Sequence, residues 1–152
     1  MNRPIIFNVL GIPKPQPRPR AFARKMGNGK FSARVYDAGT AEGWKSQIAV
    51  EAIKHRPKQL MDGPIEVVLC FFMPRPKSHH KSGKPDRPLR DSAPIQPTGK
   101  PDCDNLAKAV LDCITQIGCF WRDDSQVVEL TIVKAYADEY KPSRLEVCIQ
   151  EV

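Results

Sequence analysis

The sequence predicts an α+β fold: a single domain with a mixed β-sheet, two main helices and a long basic loop rich in proline. The chain has 152 residues, of which 41% are hydrophobic, so it can bury one core and is not disordered throughout. Segments with the two-residue period of a strand stand beside two segments with the period of a helix. Because no repeat marks a second unit, we expect residues 1–152 to form one domain.

The N-terminal part is predicted to contain a strand and a basic arm. Residues 4–12 are apolar and extended, and four prolines in the next eight positions exclude a helix there. A Gly-Asn-Gly turn divides residues 21–36 into the two strands of a hairpin. Together with the proline-rich segment, this hairpin makes a basic N-terminal arm over about residues 13–36.

A first helix is predicted from Thr40, which can cap it, to about Arg56. Helical spacing defines its core-facing side, which carries Ala41, Trp44, Ile48 and Ala52. After a turn, residues 65–73 are apolar on nearly both faces, which is typical of a central strand.

Residues 74–101 are predicted to form a long basic loop. They hold seven of the chain's 15 prolines and are otherwise mostly polar. Loops of this length inside a domain tend to be functional or mobile. The adjacent His79 and His80 lie in this loop, and we interpret them as solvated residues rather than metal ligands.

The second helix is predicted from Asp102 to about Ile117. Its apolar stripe follows the helical period and consists of Leu106, Ala109, Val110, Cys113, Ile114 and Ile117. Residues 126–136 and 144–149 then alternate as strands do. The first strand has Val128, Leu130 and Ile132 on one side, and the second has Leu145, Val147 and Ile149 facing inward. The polar turn between them, at Pro142, predicts an antiparallel pair.

The net charge of +7 is distributed unevenly. Residues 1–36 contribute +8 and residues 74–101 contribute +5, whereas residues 102–152 contribute −5. A basic surface favours a polyanion such as nucleic acid. Carboxylates gathered in an otherwise basic protein favour a hard metal ion, and an enzyme that cuts phosphodiesters needs both features.

The cysteines and the hydropathy exclude other classes of protein. Five cysteines without a C-x-x-C pair fit neither a disulfide framework nor a zinc ribbon, so we expect reduced thiols. No apolar run approaches the roughly 20 residues of a membrane span. The basic, proline-rich start lacks the features of a secretory signal, so we expect a cytoplasmic protein without a membrane partner.

The stretch Lys100 to Asp112, KPDCDNLAKAVLD, carries the candidate site. Asp102 and Asp104 straddle the start of the second helix, and Lys108 follows Asp104 by four residues on the face opposite the apolar stripe. A capped helix is the alternative interpretation, because aspartates near a helix N-terminus complement its dipole and an i, i+4 Asp–Lys pair adds a few tenths of a kcal/mol.

A second acidic feature favours the functional interpretation. Asp123 and Asp124 precede the strand that begins near residue 126, and that strand could return beside the helix. The alternative is a polar turn. Two or three carboxylates are enough to hold Mg²⁺, which polarises a phosphate and generates a hydroxide nucleophile. Lys108 can neutralise charge that develops on the phosphate, and none of the three histidines has an evident nucleophile partner.

These residues resemble the RusA family of Holliday junction resolvases, in its longer type found in phages and Gram-positive bacteria. The resemblance runs through KPDCDNLAKAVLD and FWRDDSQVVELTIVK to the strand RLEVCI, so residues 100–149 resemble the catalytic half. The beginning, IPKPQPRPRAF, is also similar. The resemblance implies a homodimer that binds four-way DNA junctions and nicks them symmetrically with Mg²⁺ or Mn²⁺, in DNA recombination and repair.

The resemblance also implies residue roles. Asp102, Asp104 and Asp124 match the metal ligands and Lys108 matches the catalytic lysine, with Asp123 as a supporting neighbour. The link from Asp112 to Asp123 is about one residue longer than in the shortest members, which leaves open whether Asp123 or Asp124 faces the metal. Cys103 fits between the two aspartates because that position needs only a small or apolar side chain.

The DNA contacts are expected from basic residues of the arm and the loop. Phosphate contacts would dominate affinity and make it depend on salt. On the arm the candidates are Arg18, Arg20, Arg24, Lys25 and Lys30. On the loop they are Arg75, Lys77, Lys81, Lys84, Arg87, Arg90 and Lys100. Phe22 and Phe31 could wedge a base step, although packing within the hairpin is the simpler interpretation.

Two other functions remain open from the sequence. One is a less selective nuclease that acts on flaps or other branched DNA. The other is a basic DNA-binding protein without catalysis, in which the acidic residues merely cap helices. Comparison of substrates separates the first from a resolvase, and the absence of cleavage with any divalent ion would favour the second.

Overall fold

A four-stranded sheet lies at the centre of the computed structural model, which describes residues 3–16, 20–25, 27, 31–36 and 42–152. For residues 20–25 and 31–36 it describes the backbone alone. The strands are β1 (Ile5–Leu10), β2 (Arg20–Lys25), β3 (Phe31–Tyr36), β4 (Ile65–Met73), β5 (Val127–Tyr136) and β6 (Arg144–Glu151). The helices are α1 (Glu42–Lys54) and α2 (Cys103–Ile117), and short 3₁₀ turns occur at Lys77–His79, Lys81–Gly83 and Asp124–Gln126.

The predicted fold class is confirmed, because the sheet is mixed and accompanied by two main helices. Its strand order is β1-β6-β4-β5, with β4 parallel to β5 and β6 antiparallel to both β1 and β4. The predicted hairpin is also confirmed, since β2 pairs with β3 as a separate antiparallel ribbon. Both helices occur close to their predicted positions, although the proposed cap Thr40 and the core residue Ala41 lie outside the described residues.

The predicted antiparallel pairing of the last two strands is wrong. β6 lies between β1 and β4, and β5 is at the edge on the far side of β4. The burial requirements of the two strands explain this order. In β6, Leu145, Val147 and Ile149 are fully or almost fully buried, which suits a central strand, whereas β5 contains an exposed Val128. A parallel β4–β5 pair requires a crossover, and residues 74–126 with α2 provide it.

The core lies on one face of the sheet, where α1 and α2 pack. The odd-numbered residues of β4, from Ile65 to Met73, are buried, and the alternate residues are half-buried. The predicted core residues of both helices that the structure describes are buried, except Ile117, which is only partly buried. Ala107, which the sequence analysis did not name, is buried as well. The largest side chains in this core are the two tryptophans, Trp44 and Trp121.

A register shift at the start of the β4–β5 pair changes the predicted face of β5. Leu130 and Ile132 pair with the buried Val67 and Leu69, so they share one side of β5 as predicted, although Leu130 on this edge strand is still 40% exposed. Val128 has no partner in this ladder and is 65% exposed. Extra residues of this kind are common at sheet edges, where they increase the local twist.

No helix in the described part of the chain is both long enough and apolar enough to span a membrane. All five cysteines are free thiols, as the sequence predicts. Cys113 is buried against α1, where its thiol donates to the backbone oxygen of Lys45, and burial raises its pKa.

Candidate functional site

The N-terminus of α2 presents two carboxylates to solvent. Asp102 is the N-cap residue, with an extended backbone, yet its side chain makes no capping hydrogen bond within the described structure. Asp104 lies in the first turn, and both residues are exposed, whereas Cys103 between them is half-buried. The helix dipole stabilises negative charge here. Because Asp102 makes no capping hydrogen bond, only the interaction with the helix dipole remains of the capped-helix interpretation.

Lys108 lies on the exposed side of α2, one turn after Asp104. Its Nζ is 3.4 Å from Oδ1 of Asp112, one further turn along the helix. The pairing that the sequence offered as an alternative, Asp104 with Lys108, is therefore replaced by a pair of Lys108 with Asp112. Asp104, Lys108 and Asp112 follow one another at four-residue spacing, so they form a single polar stripe opposite the apolar one.

The second acidic feature separates into two residues with different local roles. Asp123 caps the 3₁₀ turn at Asp124–Gln126, because its Oδ1 accepts from the backbone N of Ser125 at 2.9 Å. Hydrogen bonds from Ser125 hold the pKa of Asp123 below its usual value. Asp124 is half-buried and lies inside the turn rather than at its cap. Asp123 is thus engaged locally, and Asp124 is the better candidate ligand.

Gln126, the glutamine of the DD-x-Q ending within FWRDDSQVVELTIVK, fixes this turn, a role that the sequence analysis did not assign to it. Its side-chain oxygen accepts from the backbone N of Arg122 at 2.9 Å, and its side-chain nitrogen donates to the backbone oxygens of Met61 and Gly63. The glutamine in the DD-x-Q pattern therefore ties the acidic turn to the segment before β4. The reciprocal bonds form a capping box, which a short turn signal such as Asp-x-x-Gln can reveal.

The candidate ligands lie at opposite ends of the β4–α2–β5 unit. Lys134 near the end of β5 contacts the backbone just before Asp102, whereas Asp124 precedes the start of β5. Seven residues of strand separate Val127 from Lys134, which corresponds to about 23 Å. Consistent with this separation, no three acidic, histidine or cysteine side chains of the described residues come close enough to hold one metal ion.

Lys134 is a second residue that sequence reasoning missed. Its Nζ donates to the backbone oxygens of Gly99 at 2.7 Å and Pro101 at 2.8 Å, so it anchors the entry to α2 directly beside Asp102. Its register partner is the buried Phe71, so Lys134 lies on the core side of β5. A lysine on that side of an amphipathic strand is a signal that could have identified it.

We expect Lys134→Met to loosen the segment that carries Asp102 while keeping the aliphatic packing of the side chain. Loss of a charged hydrogen-bond donor to two carbonyls should lower the free energy of unfolding by about 1–2 kcal/mol. Nicking of DNA should fall more than DNA binding. Chemical denaturation and single-turnover kinetics measure the two effects, with the exposed Lys58→Met as the control. Unchanged stability and nicking would show that the anchor has no role.

The structure describes some of the basic residues predicted to contact DNA completely, others only in their backbone, and others not at all. Lys84, Arg87 and Lys100 are exposed in the loop, as are Lys77 and Lys81. The backbones of Arg20, Arg24 and Lys25 lie in β2, but their side chains are outside the described structure, as are those of Phe22 and Phe31. Arg18 and Lys30 lie outside the described residues altogether.

Other predicted contact residues instead hold the loop together. Arg75 donates to the backbone oxygen of Pro94 and lies over the ring of Tyr136, 4.2 Å from its centroid. Arg90 donates to the backbone oxygen of His80 at 3.0 Å. The two histidines are half-buried rather than fully solvated. His79 packs its ring edge-on to Tyr136, and His80 bonds the backbone oxygen of Arg87.

The N-terminal segment is attached to the same helix. The backbone N of Gln16 donates to the backbone oxygen of Asn105 at 3.0 Å, in the first turn of α2. The side-chain oxygen of Gln16 is buried without a hydrogen-bond partner among the described residues. This contact places the start of the basic arm next to the two carboxylates of α2.

Carboxylates at the start of a helix, between a basic arm and a basic loop, are the arrangement expected of an enzyme that cleaves nucleic acid with a metal ion. A family model described as Endodeoxyribonuclease RusA matches residues 11–150. The chain therefore belongs to the RusA family of endodeoxyribonucleases, which resolve Holliday junctions, and the resemblance read from the sequence is confirmed.

Individual relatives agree with this assignment. The uncharacterized protein YqaN of Bacillus subtilis is 37% identical over 148 residues, which cover 97% of this chain and 96% of that protein. The crossover junction endodeoxyribonuclease RusA of Escherichia coli K12 is 47% identical over 51 residues, 34% of this chain and 40% of its own length. The protein of the same description from Enterobacteria phage 82 matches to the same extent.

Proposed function

We propose that this endodeoxyribonuclease nicks four-way DNA junctions in a reaction that depends on Mg²⁺ or Mn²⁺, with Asp102, Asp104 and Asp124 as the metal ligands. The observation that carries the proposal is that the carboxylates differ in their local hydrogen bonds. Asp123 is used to cap a turn, whereas Asp102 stands at the start of α2 without a capping bond. Hard oxygen ligands of this kind suit Mg²⁺, which needs only two or three from a protein.

The chemistry of the chain's own residues supports phosphodiester hydrolysis. A bound divalent cation would polarise the scissile phosphate and lower the pKa of a water molecule. The dipole of α2 and the charge of Lys108 would act on the same phosphate, where Lys108 would stabilise negative charge as it accumulates. For this Lys108 must exchange its contact with Asp112, and the lysine side chain is 62% exposed, so the pair is weak enough to separate.

We further propose that a metal site is completed by two copies of the chain. Asp102 and Asp104 lie at one end of the β4–α2–β5 unit and Asp124 at the other, because Lys134 fixes the far end of β5 to Pro101. A symmetric dimer would bring Asp124 of one protomer to the α2 N-terminus of its partner and would create two equivalent sites. Paired nicks in opposite strands need such a two-fold relationship.

The exposed cations of the loop and arm are proposed to hold the DNA. Lys84, Arg87 and Lys100 would bind phosphates and position the strand, together with the arm residues Arg18, Arg20, Arg24, Lys25 and Lys30. Such contacts carry no sequence information by themselves. They make the affinity fall steeply as salt concentration rises. We also propose that this reaction takes place in the cytoplasm and serves DNA recombination and repair.

Cleavage of a labelled four-way junction beside a linear duplex tests the proposal. With Mg²⁺ we expect paired, symmetric nicks in the junction only, and none after chelation. Equal cutting of flaps and other branched DNA would instead identify a less selective nuclease. Tight junction binding without cleavage under Mg²⁺ or Mn²⁺ would contradict the catalytic proposal and leave a DNA-binding protein.

A further inference from the structure

We propose that the cleft beyond the carboxyl ends of β4 and β5 binds a nucleobase unstacked from the DNA next to the scissile phosphate, with Tyr140 as the stacking surface. The inference rests on the proposed function, because it requires a DNA strand at the N-terminus of α2. It adds a site for a base, where the acidic and basic residues above contact only metal and phosphate.

The cleft is formed where two parallel strands end. One wall belongs to the loop that follows β4, and the other to residues 137–143, which connect β5 to β6. Its volume is about 1220 Å³, which is ample for a base and its sugar. The crevice outside the carboxyl ends of parallel strands is where open α/β sheets bind ligands, because two chain connections diverge there.

One wall of the cleft is a fixed aromatic layer. The guanidinium of Arg75 covers the ring of Tyr136, and the ring of His79 meets it edge-on with centroids 5.5 Å apart. Arg75 is itself held by the backbone oxygen of Pro94. Of these groups, Arg75 and Tyr136 line the cleft, and because their contacts fix them in place, binding against them costs little ordering.

The cleft also presents two large and strongly exposed side chains. Tyr140 is 86% exposed and Ile95 is 82% exposed, and both line the cleft. The turn that carries Tyr140 is well defined, because Oδ1 of Asp138 accepts from the backbone N of Tyr140 and of Lys141. Proteins that bind single-stranded nucleic acids use exposed aromatic rings of this kind as surfaces on which bases stack.

The polar groups at the rim favour a base over a bare phosphate. Arg87 and Lys141 supply donors, and Asp86 and Glu139 supply acceptors. A phosphate would be repelled by the two carboxylates, whereas the edges of bases carry donors and acceptors side by side. The mixed charge therefore matches a nucleobase edge, with a sugar-phosphate backbone passing along the more basic loop.

The cleft is close to the proposed site of cutting. Lys134 and Tyr136 are alternate residues on the same side of β5, with their Cα atoms about 7 Å apart. Lys134 contacts the backbone of Pro101, next to Asp102, and Tyr136 lines the cleft. A strand whose phosphate lies at Asp102 and Asp104 therefore has a neighbouring base within reach of the cleft, which could set a preference for sequence near the cut.

Crosslinking tests the inference directly. We use a series of four-way junctions, each with 5-iodouracil at a single position around the branch point. The protein–junction complex is irradiated in the presence of Ca²⁺, and the crosslinked peptide is then identified by mass spectrometry. We expect a crosslink at Tyr140 from one or two positions beside the cut. Tyr140→Ala should lose it and nick about 5- to 100-fold more slowly, the range of one lost stacking contact. Tyr140→Phe should retain both, and the exposed Val50→Ala in α1, outside the proposed sites, should match the wild type.

The outcomes separate this inference from the proposed function. If the wild type nicks junctions but shows no crosslink at Tyr140, and Tyr140→Ala nicks normally, the base site is wrong and the nuclease proposal stands. If the crosslink forms but no divalent ion supports nicking, the base site stands and the nuclease proposal fails. Crosslinks from every position in the junction alike would overturn the inference, because they indicate general proximity rather than one held base.

Discussion

Asp104→Asn is expected to abolish nicking of a four-way junction while leaving junction binding within about threefold of the wild type. An amide is a weaker ligand for a hard cation than a carboxylate, and loss of several kcal/mol of transition-state stabilisation corresponds to about a 1000-fold decrease in rate. Asp104 is exposed in the first turn of α2, so the fold should tolerate the change. At most about 1 kcal/mol of favourable interaction with the helix dipole is lost.

Single-turnover cleavage and a gel-shift titration measure the two halves of this prediction. Asp91→Asn is the matched control, because Asp91 is an equally exposed acid in the loop and lies outside the proposed site. The control should cut normally. If Asp104→Asn cuts within threefold of the wild type, Asp104 is not a metal ligand and the assignment of the site fails.

A mixture of two inactive variants is expected to recover activity. In a dimer that contains one Asp104→Asn chain and one Asp124→Asn chain, a site shared between protomers gives one doubly altered site and one intact site. Random pairing in co-expressed protein should therefore restore about a quarter of the wild-type sites. The products should be single nicks, because each active dimer has only one working site.

The matched control for this experiment is the mixture of Asp102→Asn with Asp104→Asn. Both residues lie at the same end of α2, so every site of the mixed dimer carries one substitution and no activity should return. If the Asp104→Asn and Asp124→Asn mixture is also inactive although mixed dimers form, all three carboxylates act within one chain. The protomer would then have to rearrange so that Asp124 comes close to Asp102 and Asp104.

Much of the fold could be predicted from local sequence patterns. The amphipathic period defines α2, and the apolar run of β4 indicates a strand with neighbours on both sides. The pairing of β5 was predicted wrongly because the sequence of a polar turn does not show whether the next strand in the chain is also the neighbouring strand in the sheet. The burial of β6 between β1 and β4 is a long-range property that depends on which strand has the more completely apolar side.

The candidate site could be predicted to a similar extent. The spaced aspartates and the lysine are evident from the motif, but the sequence left open whether Asp123 or Asp124 serves the metal. The capping bond between Asp123 and Ser125 favours Asp124. A local pattern can single out Lys134 and Gln126, but it cannot identify their partners, which are backbone oxygens 33 or more residues away in the chain.

Binding of Mn²⁺, measured by paramagnetic resonance on the metal-free protein, tests most directly the claim that these carboxylates form one metal site. We predict that the wild type binds Mn²⁺ and that Asp102→Asn, Asp104→Asn and Asp124→Asn each weaken binding by about tenfold or more, because each removes one ligand of a small set. Asp91→Asn should bind as the wild type does. Equal binding by all of these proteins would contradict the account, since the metal would then be held elsewhere.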